Sequence, residues 1–188
     1  MPREPSRFLN ACYEFAEVLA SAVLAIAVLF AFALRFAGVV GTSMAPTLHH
    51  RDWLAITAYI HEPRRGSIVI ISPRTNRFNE PLVKRIIAIE GDIIDIREGY
   101  VLVNDARIHE PYLIDGIWTE AMPPHLSDLE YPVIVPRNMV FVLGDNRGGS
   151  TDSRCGDIGF IRVDDILGRV LFRVYAPSAM NRFSFRVE

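Results

Sequence analysis

Lysine is nearly missing from this 188-residue chain: 19 of its 20 basic residues are arginine, and the exception is Lys84. Cysteine is scarce too. Cys12 and Cys155 stand far apart and in no metal-ligand spacing, which argues against a disulfide framework or a cysteine zinc site. Neither sign of charge is in excess: the net charge is −2 and the pI about 6.2. Nucleic acid, which binds through surplus basic charge, is therefore not expected as a partner. There is no G-x-S-x-G elbow and no P-loop lysine. Asp145, Asn146 and Asp152 lack the spacing of a calcium loop, and neither a metal nor a cofactor is expected. What is present suffices for one domain of ordinary size, and 50% apolar content rules out a wholly disordered chain. The arginine excess reads as compositional bias, which leaves the position of the one lysine to be explained.

Val18 to Leu34 is a run of 17 residues without a charge, followed beyond Arg35 by the apolar stretch Phe36 to Val40. This is the short end of a membrane-spanning helix, with Arg35 able to snorkel to the interface. A cleaved secretory signal is the rival reading, with Arg3 and Arg7 as its basic end and Ala31-Phe32-Ala33 as a cleavage site. Glu4, Glu14 and Glu17 dilute that basic end, and the run exceeds the usual length of such a segment, so a retained anchor is favoured. A buried core helix is the third reading, disfavoured by the length of the uncharged run. The division expected is a short tail over 1–17, an anchor and juxtamembrane stretch over 18–40, a mostly β domain over 41–176 and a tail over 177–188.

After Val40 the pattern becomes short β-branched and aromatic runs: Trp53 to Tyr59, Ser67 to Ile71, Leu82 to Ile89, Ile93 to Ile96, Tyr100 to Val103, Val133 to Val135, Met139 to Leu143 and Gly168 to Tyr175. Pro63, Gly66, Pro73, Gly91, Gly99, Asn104-Asp105 and Pro136 punctuate them. A mostly β, antiparallel domain is expected behind one N-terminal transmembrane helix. Residues 111–132 hold four of the 12 prolines and little periodicity, so they read as an excursion from the sheet.

Three pieces of sequence carry chemistry. Ser43 sits in Gly41-Thr42-Ser43-Met44-Ala45-Pro46-Thr47-Leu48, where glycine and proline favour a sharp bend. Alone, such a serine is more often turn chemistry than a nucleophile. A serine nucleophile needs a base. His49, His50, His61, His109 and His125 stand in no triad context, and arginine stays protonated at any usable pH. Lys84 is the candidate that remains. In a strand over 82–89 it shares a face with Leu82, Ile86 and Ala88, and aliphatic neighbours lower a lysine pKa by desolvation. The commoner fate of a lysine is to reach the rim and pair with a carboxylate. The third piece is Gly144-Asp145-Asn146-Arg147-Gly148-Gly149-Ser150-Thr151-Asp152-Ser153-Arg154, directly after an apolar strand.

In this order, and behind an apolar helix, Ser-Met-x-Pro-Thr-Leu, Val-Lys-Arg and Gly-Asp-Asn-Arg-x-x-Ser-x-Asp-Ser-Arg resemble the type I signal peptidases, from about residue 18 to residue 175. The resemblance implies a Ser–Lys dyad that releases exported preproteins from their signal peptides, with Ser43 as nucleophile and Lys84 as general base. It implies that Ser150 hydrogen-bonds and orients the lysine amine, and that Asp152 and Arg154 form a supporting ion pair. The Ser43 N–H would be one oxyanion donor. Some members carry a serine at the position of Gly41 as the second donor, and here that hydroxyl is missing. The resemblance also implies a mostly β catalytic core with a small insertion, here over 99–135, and preproteins and the lipid bilayer as partners. The implied location is a bacterial-type cytoplasmic membrane, crossed once, with the catalytic domain on the extracytoplasmic side.

A self-cleaving Ser–Lys repressor would require a DNA-binding domain for which the chain has no room. A specialised processing peptidase of the same clan and a non-catalytic membrane-anchored β module both stay open.

Overall fold

The computed structural model describes residues 7–57, 62–72, 80–114, 116–127 and 129–175. Ala58 and Tyr59 of the first expected strand, His61, Pro73 and the tail over 177–188 lie outside them. The chain divides into two compact units, Met1–Arg35 and Phe36–Glu188.

The first unit is one helix, α1 (Arg7–Ala33). Its sequence contains no glycine or proline and is rich in alanine and leucine, the residues that lose least on entering a helix. The helix starts well inside the stretch expected as a tail, because Glu14 and Glu17 interrupt the apolar run without interrupting the backbone. Leu9–Val28 is long and apolar enough to cross a membrane. Tyr13, Phe15, Val18, Leu24 and Ile26 are all exposed, so the apolar surface runs round the helix rather than along one stripe.

Eleven strands follow in the described residues: β1 (Leu34–Gly38), β2 (Trp53–Thr57), β3 (Ile68–Ile71), β4 (Leu82–Ile89), β5 (Ile93–Arg97), β6 (Tyr100–Val103), β7 (Ala106–Arg107), β8 (Val133–Ile134), β9 (Met139–Leu143), β10 (Ile161–Arg162) and β11 (Ile166–Tyr175). They form a seven-stranded sheet in the order β1-β2-β11-β3-β4-β9-β10 and a four-stranded sheet in the order β7-β6-β5-β8. The chain is mostly β, with antiparallel sheets behind one apolar helix. β1 lies within the stretch over 18–40 expected as anchor and juxtamembrane segment. Phe36 to Val40 alternates as a strand does, with Ala37 and Val39 packed into the core and Phe36 and Val40 exposed. Two-residue turns with both φ positive, Glu98-Gly99 and Asn104-Asp105, join β5 to β6 and β6 to β7.

Both faces of the central strands are covered. Val83 packs with Ile68 and Ile70, whereas Leu82 and Ile86 pack with Val69, Ile71 and Val142. Lys84 and Arg85 therefore point to opposite faces and are both buried. One detail departs from simple alternation. The register of β4 against β9 slips between Ile86 and Ala88, a bulge that turns Ala88 to the cluster of Phe141 and Leu143. Ala88 thus does not share the Lys84 face.

The turn between β1 and β2 is held from below by apolar anchors. Val39, Met44 and Leu48 enter the same cluster as Leu54, Ile56 and Ile70. Leu48→Ala is expected to cost about 2–5 kcal/mol, as truncation of a fully buried leucine does, read as a lower midpoint in denaturant. A loss under about 1 kcal/mol would show that the turn is anchored otherwise.

Candidate active site

Ser43 stands two residues after Gly41, whose φ of +93° lies in the left-handed region that glycine adopts without strain. A Cβ at Gly41 would meet nothing within 4 Å, so the backbone angle and not crowding selects glycine there. Met44 on the next position is buried. The serine is thus fixed between a special backbone position and a core anchor. The loop after β9 clamps the turn from the other side. The Asn146 N–H donates to the Ser43 carbonyl at 3.0 Å, Asn146 Nδ2 donates to the Thr42 carbonyl at 3.3 Å, and Thr47 Oγ1 donates to Asp145 Oδ2 at 2.5 Å.

From the middle of β4, Lys84 Nζ donates to Ser43 Oγ at 2.8 Å. Two residues 41 positions apart in sequence meet because β4 runs beside β3 and β9 while the turn is pinned over the sheet. Lys84 is 2% exposed. Burial pulls its pKa from 10.5 down to about 8; Asp152 opposes that fall, Arg154 adds to it and Asp145 opposes it. A large share of this amine is therefore neutral at mildly alkaline pH, when its lone pair can accept the serine proton.

Three arginine–carboxylate pairs surround the two side chains. Arg85 Nε and Nη2 donate to the two oxygens of Asp145 at 2.9 and 2.7 Å, and Nη1 donates to the Gly66 carbonyl at 2.8 Å. Arg154 Nε and Nη2 donate to Asp152 at 2.8 and 2.9 Å, and Asp152 Oδ2 also accepts the Gly144 N–H at 3.0 Å. Arg147 pairs with Glu110. A bidentate guanidinium satisfies a carboxylate that would otherwise be a costly buried charge. Gly144 is required for packing. A Cβ there would stand 2.2 Å from Ser150 Oγ and 2.5 Å from the Ser43 carbonyl oxygen.

The sequence profile described as signal peptidase, peptidase S26, matches residues 12–175. The chain belongs to the signal peptidase family. It is 35% identical over 172 residues to signal peptidase I of Bacillus licheniformis, covering 89% of this chain and 90% of that protein. Signal peptidase I S of Bacillus subtilis (strain 168) is 36% identical over 153 residues, covering 76% and 77% respectively. The chloroplastic thylakoidal processing peptidase 1 of Arabidopsis thaliana is 32% identical over 189 residues, covering 94% of this chain and 52% of that longer protein.

In this signal peptidase family member Lys84, Ser150, Asp152 and Arg154 are buried and Ser43 is half-buried beside them. Ser150 departs from the expected geometry. Its Oγ is buried and has no hydrogen-bond partner among the described residues. The side chain fills the space that Gly144 leaves open, while the lysine amine is turned to Ser43. Neither Ser43 nor Lys84 hydrogen-bonds to a histidine among the described residues. Among those residues no cluster of His, Cys, Asp or Glu is placed to hold a metal ion. Cys155 is buried and Cys12 exposed, both as free thiols.

Sequence reading gave no partner to Arg85 and no role to Thr47, Tyr112 or Glu110. Strand alternation does put Arg85 on the face opposite Lys84, and Asp145 stands within the glycine-rich motif. Glu110 and Tyr112 had no signal, lying at the head of the proline-rich excursion.

The depressed lysine pKa has a consequence for stability. The unfolded chain holds this proton up to about pH 10.5 and the folded chain only to about pH 8. Stability from this group therefore rises with pH between those values, and at pH 7 the buried ammonium costs about 3 kcal/mol. Lys84→Met is expected to unfold at higher denaturant than wild type at pH 7, with the gap narrowing toward pH 10. Equal midpoints at both pH values would contradict the desolvation of Lys84.

Proposed function

We propose that this chain is a membrane-anchored serine endopeptidase that cleaves signal peptides from exported preproteins, with Ser43 as nucleophile and Lys84 as general base. The observation that carries the reading is the 2.8 Å hydrogen bond between Ser43 and the only lysine in the sequence. When the amine is neutral the hydrogen bond reverses, and the hydroxyl donates to Nζ. Lys84 takes the proton as Oγ attacks the scissile carbonyl. The Ser43 N–H donates to the oxyanion, and the absence of a side chain at Gly41 leaves any second donor to another group. The lysine ammonium then protonates the leaving amine, and the acyl-serine is hydrolysed by water that Lys84 deprotonates.

Asp152 and Arg154 set the field at the amine, and Ser150, packed against Gly144, bounds the space in which it moves. The apolar helix supports anchoring, because its exposed apolar surface is what a bilayer covers. On this reading α1 crosses a bacterial-type cytoplasmic membrane once and residues 41–176 work on the extracytoplasmic side. Preproteins present an extended, small-residue segment just past their own apolar stretch, which fits a nucleophile soon after the anchor and a sheet able to accept a strand. The residues 99–135, which contain β6 to β8, form an insertion in the peptidase domain. The similarity to a thylakoidal processing peptidase supports a second reading, that the same machinery serves a specialised set of substrates in another membrane.

Incubation of the detergent-solubilised protein with a preprotein tests the assignment. Wild type is expected to cut at the signal-peptide junction, and Ser43→Ala and Lys84→Ala to lose about 10^3-fold or more. Lys84→Arg is expected to be inactive with its charge intact, because a guanidinium does not give up its proton. kcat/KM of wild type is expected to rise with pH through an apparent pKa of about 8. Undiminished cleavage by Ser43→Ala, or an active Lys84→Arg, would remove the dyad from the mechanism.

A further inference from the structure

Residues 108–119 follow β7 and begin and end on the four-stranded sheet. The Ile108 N–H donates to the Val101 carbonyl at 3.1 Å and the Thr119 N–H to the Gly99 carbonyl at 2.9 Å, which fastens both ends of the segment to the hairpin of β5 and β6. The Trp118 ring lies against Gly99, where a Cβ would stand 2.5 Å from it. Between these ends the segment sends Glu110 and Tyr112 to two arginines of the candidate active site. Arg147, whose side chain is fully buried, pairs with Glu110 and donates to Thr119 Oγ1. The Tyr112 hydroxyl donates to Glu110 Oε1 at 2.8 Å, and the Arg85 guanidinium lies over the Tyr112 ring, 3.8 Å from its centroid.

These contacts continue to the reacting atoms. Arg147 Nε donates to the Gly144 carbonyl at 3.2 Å, and Arg154 Nη2 donates to the Arg147 carbonyl at 2.7 Å. Gly144 is the residue packed against Ser150 and the Ser43 carbonyl. Resting on the serine-peptidase reading above, we infer that Glu110 and Tyr112 are positioning residues, which hold the Gly144–Arg154 loop against Ser43 and Lys84 through Arg147 and Arg85. If Glu110 loses its charge, a buried guanidinium is left unpaired and must turn toward water. It then releases the Gly144 carbonyl, and the loop loses its register on the Ser43 turn. Tyr112 keeps Glu110 aimed. Its hydroxyl stays protonated across the working range, because burial and then the neighbouring Glu110 carboxylate push its pKa up.

A purely structural role would lower the unfolding midpoint and leave the turnover of the folded enzyme alone. A positioning role lowers turnover itself. The test is steady-state cleavage of a preprotein by the full-length, detergent-solubilised protein, at a temperature where each variant is folded. Glu110→Gln is expected to lower kcat by about 10- to 100-fold with KM within about twofold, the size of loss a small misplacement causes. Tyr112→Phe, which keeps the ring on Arg85 and removes only the hydroxyl, is expected to show a smaller loss of the same kind. Adding Arg147→Met to Glu110→Gln is expected to reduce kcat far less than the product of the single losses, since both act through one contact. Wild-type kcat in Glu110→Gln would overturn the inference, whatever its midpoint. An inactive wild type would instead sink the serine-peptidase reading, and this inference with it.

Discussion

The desolvation of one amine is the constraint on which the rest of this structure depends. Lys84 has to be dry enough to give up its proton near neutral pH, yet a dry ammonium is unstable whenever it is charged. The chain meets this by placing the lysine inside β4, a strand covered on both faces, with Val69, Leu82 and Ile86 beside it. A rim position would keep the amine solvated and its pKa near that of a free lysine. The serine is brought to the lysine, rather than the reverse. Its turn is fastened to the core by Met44 and Leu48 and to the glycine-rich loop through Asn146.

The contrast between one lysine and many arginines acquires a physical meaning at this site. Arg85, Arg147 and Arg154 are buried, each against a carboxylate. A guanidinium paired with a carboxylate is a permanent charge in a set direction, so the three pairs form a fixed framework. Lys84 is the cation within it that can change state. Buried ion pairs contribute little net stability against apolar residues of the same size, and breaking one is costly. Such pairs suit a loop that must take one position. Most of the 19 arginines need no such account and remain compositional.

Much of this was legible in the sequence, for reasons that differ by element. The strands over 82–89 and 139–143 follow from apolar runs rich in β-branched residues, broken in the first only by Lys84 and Arg85, and both faces of each are buried. The three motifs are joined by their order and their resemblance to the type I signal peptidases, while strand alternation and the titration chemistry of lysine narrow what can activate Ser43. The start of the helix was missed because hydropathy marks the apolar run, whereas backbone propensity carries the helix back to Arg7. β1 was missed because five apolar residues after a span look like more span. The bulge that turns Ala88 away arises from pairing with β9 and leaves no mark in β4 itself. Glu110 and Tyr112 are long-range partners, and single residues in an aperiodic stretch carry no sign of what they will meet.

The most direct test of the account uses the rarity of lysine. Protein grown with 13C-labelled lysine and solubilised in detergent gives one lysine side-chain resonance, which belongs to Lys84. Titration of that resonance by NMR is expected to show a midpoint near 8 in wild type. A midpoint near the free-lysine value of about 10.4 would mean that the amine is solvated and charged at working pH, and would contradict its role as the base.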